Sequence, residues 1–116
     1  MRIHNLYHDE DGESHFRDIE IAWVTEGPDG TWSDTMPASS ITFRTTPGTY
    51  HNDWHTSPRK QYVINLDAPA AISASNGETR IIGVGEVLLL EDLHGKGHSG
   101  RAVDGRFRHS VVVAAG

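Results

Sequence analysis

Histidine is the residue type with the most chemical potential in this sequence, since eight histidines occur among 116 residues and cysteine is absent. Three of them, His51, His55 and His98, flank turns at the ends of predicted strands, where sites are commonly built. Without a thiolate, a metal ligand or proton-transfer group must come from histidine, carboxylate or amide side chains. These histidines are therefore the first candidates for a functional site.

The segment TYHNDWH groups three potential ligands. Residues two apart on an extended strand point to the same side, so His51, Asp53 and His55 are expected to share one face if the strand is regular. A purely structural or surface role is the alternative for each of them, and it is weighed most heavily for His51.

A second group of polar residues follows the apolar run at 87–90. Glu91 and Asp92 are adjacent carboxylates, and His94 lies in the loop that leads to His98. Alternation along the strand is expected to turn Glu91 inward, where a carboxylate can act as a general base. Asp92 and His94 are candidates for further ligands or pocket residues. A solvated turn is the alternative for the whole group.

The residues around the break at Pro58 supply the remaining candidates. Arg59 is placed to meet an anionic substrate at the mouth of a pocket, with a solvated surface role as its alternative. Tyr62, together with Phe43 and Trp54, is expected in the core or in the pocket wall.

Short apolar runs predict that strands rather than helices position these groups. No stretch repeats apolar residues at i, i+3, i+4 and i+7, whereas alternation is clear over 19–23 and 41–45, each ended by a Gly–Pro or Pro–Gly pair. Asn76 and Gly77 separate two extended runs and predict a hairpin with a type I′ turn. Roughly nine or ten short strands with frequent Gly and Pro turns predict an all-β sandwich or closed barrel with essentially no helix.

Two segments carry a resemblance to a known family. GTYHNDWHTSPRKQYVINLDA, from Gly48, resembles the first motif of the cupins of the RmlC-like superfamily, and GEVLLLEDLHGKGH resembles the second. The likeness covers residues 40–113 and is nearest to small stand-alone bacterial cupins without an assigned reaction. It implies a single cupin domain over 1–116, a jelly-roll-like double-stranded β-barrel. Residues 1–15 are a possible N-terminal arm that pairs with the sheet or with a second subunit, and a frayed terminus is the alternative.

The resemblance also implies a ligand set for one divalent metal ion inside the barrel. In cupins, two histidines and a glutamate of the first motif meet a histidine of the second. The matching positions here are Asp53, His55, Gln61 and His98. Two histidines and a carboxylate suit Fe, Mn, Ni or Zn. For Gln61, hydrogen bonding to backbone groups is the alternative.

Composition and charge restrict the partners. The net charge of −6 arises in residues 1–54, which hold three basic and ten acidic residues. This balance and the lack of a basic patch argue against nucleic acid and membrane partners. No apolar run approaches the length of a spanning helix and the polar N-terminus lacks a signal pattern, so a cytoplasmic protein is expected. The apolar VVVAA end and the pairing habit of cupins predict a homodimer.

Three functions stay open at this point. The first is a metal-dependent enzyme, such as an oxygenase, lyase or isomerase, acting on a small organic molecule. The second is a protein that binds or senses a small molecule without turnover. The third is a metal-free isomerase or cyclase that uses histidine and carboxylate as acid and base.

Overall fold

The computed structural model describes every residue from 1 to 116 and contains eleven β-strands and no helix. In chain order the strands are β1 (Arg2–His8), β2 (Ser14–Glu20), β3 (Thr25–Gly27), β4 (Gly30–Trp32), β5 (Ala38–Thr46), β6 (Gln61–Asn65), β7 (Ala70–Ala74), β8 (Thr79–Ile82), β9 (Val87–Glu91), β10 (His98–Ala102) and β11 (Arg108–Ala115). The all-β prediction is confirmed, with slightly more strands than expected. The structure offers no helix that could span a membrane.

Two sheets pack around a shared apolar core. The larger sheet has the strand order β2-β1-β9-β6-β11-β5, the smaller has the order β10-β7-β8, and β3 and β4 form a separate hairpin. The core cluster draws Leu6, Phe16, Leu88 and Leu90 from the larger sheet and Ala74 and Ile82 from the smaller one. This arrangement is the jelly-roll-like double-stranded barrel that the sequence predicted.

The N-terminal segment is an inner part of the larger sheet. β1 pairs in parallel with β9 and antiparallel with β2. Asn5 and Leu6 are fully buried, and the Asn5 amide donates to the carbonyl of Leu89 at 3.1 Å. Of the arrangements considered for residues 1–15, pairing with the chain's own sheet is the one present.

β7 and β8 form the hairpin predicted at Asn76 and Gly77. Ala74 donates to the carbonyl of Glu78, which leaves a three-residue loop, and within it only Gly77 has a positive φ, of 97°. The predicted type I′ turn is wrong because a three-residue hairpin loop requires the left-handed conformation only at its last residue.

Several apolar residues predicted in strands or in the core are exposed. β2 ends at Glu20, so Trp23 lies outside the strand and is 49% exposed. Phe43 does lie in β5 but is 75% exposed, and Trp54 is 53% exposed. β5 is an edge strand whose residues 38–45 are exposed on both faces, so the alternation indicated a strand without telling whether either face is covered.

Candidate functional site

A cavity of about 270 Å³ lies between the two sheets, beside the apolar core. Its wall includes His55, His98 and Gln61, three of the side chains predicted for the site. The other polar side chains on the wall are Arg44, Tyr50, Asn52, Ser57, Asn65 and Arg108. The cavity is therefore lined by guanidinium, imidazole, amide and hydroxyl groups, with no carboxylate.

His98, at the start of β10, is fixed by a buried carboxylate. Its Nδ1 atom lies 2.6 Å from Oδ2 of Asp92, and the Ser57 hydroxyl donates to Oδ1 of the same carboxylate at 2.7 Å. Asp92 is fully buried and lies outside the cavity wall. Because an ionised carboxylate only accepts hydrogen bonds, Nδ1 of His98 carries the hydrogen, and Nε2 is left for a ligand in the cavity.

His55 lies beside His98 because residues 50–56 run along β10. The backbones of the two histidines exchange hydrogen bonds of 2.9 Å, and their ring centroids are 4.5 Å apart. Gly97 permits this approach: its φ is 72°, and a Cβ at this position would meet the backbone oxygen of His55 at 2.2 Å. The last glycine of HGKG therefore serves a close backbone crossing.

The segment that carries His51, Asp53 and His55 is not a regular strand. It pairs with β10 at His51 and again at His55. Between these two points the segment advances by four residues, whereas β10 advances by three. The extra residue is a β-bulge, which reverses the side that the following residues face. His51 and Asp53 therefore do not line the cavity, and the prediction of three ligands on one face is wrong.

Asn52 takes the place expected for Asp53. Its Oδ1 accepts a hydrogen bond from the Gly100 amide at 2.6 Å, and its Nδ2 lies 2.8 Å from Nδ1 of His55. This amide ties β10 to the ring of His55. Asn52 was not predicted as a site residue, because in a regular strand it would face away from His51, Asp53 and His55.

Glu91 lies on the face of β9 opposite the cavity. Leu88 and Leu90 line the cavity, so strand alternation places Glu91 outside. There it pairs with Arg17 at 3.4 Å and with Lys60 at 3.7 Å. The prediction that Glu91 turns inward as a general base is wrong, since the inward positions on this strand are its even-numbered residues.

Three other predicted pocket residues also lie elsewhere. His94 is exposed and packs edge-on against His8, with ring centroids 5.2 Å apart. Tyr62 lies outside the cavity wall, and its hydroxyl contacts the sulfur of Met36 at 3.4 Å. Arg59 is exposed and does not reach the cavity.

Two arginines that the sequence analysis did not single out do line the cavity. Arg108, at the start of β11, is only 6% exposed. Its Nη2 is 3.5 Å from the Thr46 hydroxyl, whereas its Nε and Nη1 atoms are buried without a hydrogen-bond partner. Burial lowers the pKa of Arg108, and the nearby charge of Arg44 lowers it further. An arginine next to an apolar run, as in RFRHSVVV, is the signal that could have drawn attention to it.

The donors on the cavity wall do not fit the predicted metal centre. His55 and His98 supply two imidazoles, but Asp53 lies outside the wall and Gln61 offers only a neutral amide. No group of three or more His, Cys, Asp or Glu side chains in the chain is arranged to hold a metal ion. Sites for Fe, Mn, Ni or Zn usually have at least three such ligands.

Comparison with known proteins adds evidence for the fold. No protein-family profile and no curated protein matches the sequence. Protein NMB1881 from Neisseria meningitidis superposes with a TM-score of 0.51 and 16% identity, covering 66% of this chain and 74% of its own. A protein assigned as ethanolamine utilization protein Q from Salmonella typhimurium gives a TM-score of 0.46 and 14% identity, covering 99% and 95%.

The likeness to NMB1881 agrees with the architecture. NMB1881 is a cupin-type protein, and the superposition shows that this chain, with two facing sheets around a cavity, has a similar fold. At this level of identity the likeness concerns the fold and not the function.

Proposed function

We propose that this protein is an acid–base enzyme of cupin fold that transfers a proton on a small organic molecule bound between its sheets. The observation that carries the proposal is the buried Asp92 carboxylate bonded to His98 on the cavity wall. A carboxylate that holds one nitrogen of an imidazole fixes its tautomer and stabilises the imidazolium that forms when the other nitrogen takes a proton.

The step that fits this geometry begins at Nε2 of neutral His98, which accepts a proton from a carbon next to a carbonyl group. The electron pair of the broken C–H bond forms a C=C bond, and the π pair of the carbonyl group moves to its oxygen. The imidazolium keeps its Nδ1–H hydrogen bond to Asp92. Return of the proton to the same or a neighbouring carbon completes an isomerisation or exchange. His55 and Gln61, on the same wall, are available to donate hydrogen bonds to the oxygen as charge develops.

Solvent deuterium exchange tests the proposal without knowledge of the natural substrate. Small oxo acids and neutral ketones are incubated with the protein in D₂O, and loss of carbon-bound hydrogen is followed by proton NMR. We expect exchange with at least one compound. His98→Gln should reduce the rate of exchange about 100-fold or more, since a positioned general base accelerates a reaction by at least that factor.

His94→Gln is the matched control, because His94 lies in the loop that leads to His98 but outside the cavity. It should exchange at the wild-type rate. If no compound exchanges faster with the protein than without it, or if His98→Gln keeps the wild-type rate, the enzyme proposal is refuted. Binding without exchange would instead assign a binding or sensing function to the cavity.

A further inference from the structure

The strongest unexplained feature of the cavity is the buried charge of Arg108. Its Nε and Nη1 atoms have no partner, and its one side-chain contact, to the Thr46 hydroxyl, is long at 3.5 Å. Buried polar groups in folded proteins are nearly always hydrogen-bonded, and an unpaired buried charge is costly. A partner from outside the chain would complete this group.

A second guanidinium lies close to the first. β5 and β11 are antiparallel neighbours, with Thr46 opposite Arg108 and Arg44 opposite Ser110, so the two arginines are diagonal neighbours on one face. Arg44 also lies over the Tyr50 ring, 5.3 Å from its centroid. No carboxylate lines the cavity to balance either charge, although the chain as a whole carries a net charge of −6.

The strand register separates the arginines from the histidines. His98 and Ala102 are the two ends of β10, and Ala102 donates to the carbonyl of Tyr50, beside Arg44. Four residue steps along the strand separate these two ends, which corresponds to roughly 13 Å. The wall between them is apolar and is formed by Val63, Ile72, Leu88 and Val112.

We infer that the ligand of this cavity is a small carboxylic acid, with its carboxylate on Arg108 and Arg44, a hydrocarbon segment against the apolar wall, and its other end at His98. The inference rests on the proposed function for the role of His98, but not for the anion site. A carboxylate matches the guanidinium group in charge and geometry. Phosphate sites commonly use helix N-termini or backbone nests, and no helix is present here.

Calorimetric titration with acetate, butanoate and hexanoate, each beside its amide, tests the anion site. We expect the longer acids to bind and the amides not to bind. Arg108→Met should weaken butanoate binding about 10- to 100-fold, the effect of losing a hydrogen bond to a charged group. Arg59→Met, which removes an arginine outside the cavity, should leave binding unchanged. Inorganic phosphate serves as the competing anion.

A second measurement does not depend on a variant. The NMR signals of the arginine Nε–H groups are first assigned in the wild type. The signal of Arg108 should shift when butanoate is added and should not shift when butanamide is added. Equal binding of acid and amide, an unchanged affinity in Arg108→Met, tighter binding of phosphate than of butanoate, or a static Arg108 signal would each overturn the inference. His98→Gln separates the two proposals, because it should reduce exchange about 100-fold or more and retain butanoate binding.

Discussion

Asp92 is a residue whose neighbours give it a role that its place in the sequence does not reveal. Both of its carboxylate oxygens are occupied, one by the Ser57 hydroxyl and one by Nδ1 of His98, and no part of the side chain meets solvent. In the proposed function, Asp92 positions His98 and does not contact the ligand. The histidine therefore depends on a group outside the cavity wall.

Asp92→Asn should test this positioning role. The amide removes the charge from a buried hydrogen bond, and we expect the free energy of unfolding to fall by about 1.5–3 kcal/mol. The neutral ring of His98 should also lose its fixed Nδ1–H tautomer, which nitrogen-15 NMR of the imidazole detects. Asp53→Asn, at an exposed position outside the cavity, should change neither quantity. An unaltered tautomer in Asp92→Asn would contradict the role.

At the scale of elements, the turn between β8 and β9 shows how a carboxylate joins distant parts of the chain. Glu86 accepts the Gly83 amide at 2.7 Å within the turn, contacts Nε2 of His4 at 3.2 Å, and accepts a hydrogen bond from Arg2 at 3.0 Å on β1. The Gly83 amide is the largest cause of the lowered pKa of Glu86, and His4 and Arg2 add to it. The charge of Glu86 thus helps to hold β1 against the turn.

This lowered pKa predicts a pH dependence of stability. A depressed carboxyl pKa contributes stability that is fully present above the ordinary value of 4.5 and is lost as the pH falls through the folded value. Wild type should therefore exceed Glu86→Gln in free energy of unfolding at neutral pH, and the difference should vanish in acid. Urea unfolding between neutral and acidic pH measures it. Glu26→Gln, on the exposed β3, is the control. If the difference in free energy of unfolding between wild type and Glu86→Gln persists in acid, the charge of Glu86 is not its cause.

At the scale of the whole molecule, two parts of the chain, β5 and the segment that precedes it, leave apolar surface uncovered. Ile41 and Phe43 are exposed on the edge strand β5, and the segment that precedes it exposes Trp23, Val24, Trp32 and Met36. Two apolar surfaces on one chain can cover each other in a two-fold pair, with the segment of each copy on the sheet of the other. We propose a second copy of this chain as the partner, because it would supply both surfaces at once.

We therefore expect a dimer, with twice the chain mass of 12.8 kDa. Light scattering coupled to size-exclusion chromatography measures this mass. Phe43→Lys should convert the dimer to a monomer, because it places a charge in the covered face. Ile81→Lys is the matched control, since Ile81 is an exposed apolar residue on β8 of the other sheet. A wild-type monomer, or a Phe43→Lys variant that still pairs, would contradict the expectation.

The all-β architecture and the β7–β8 hairpin followed from local patterns, because alternation and turn residues act over a few neighbouring positions. His55, His98 and Gln61 were also found from motif likeness, and the structure places all three on the cavity wall. Asp53 and Glu91 were misplaced because the side that a strand residue faces changes with a single inserted residue or a single step.

The class of fold and the two histidines on the cavity wall, His55 and His98, follow from the sequence alone. Tertiary structure alone decided the remaining features of the site. Because of the bulge, Asn52 and not Asp53 lines the cavity. Asp92, which directly follows β9, is hydrogen-bonded to His98. The β5–β11 register places Arg44 near Arg108. These features arise from the pairing of segments far apart in the chain, which no local pattern of residues encodes.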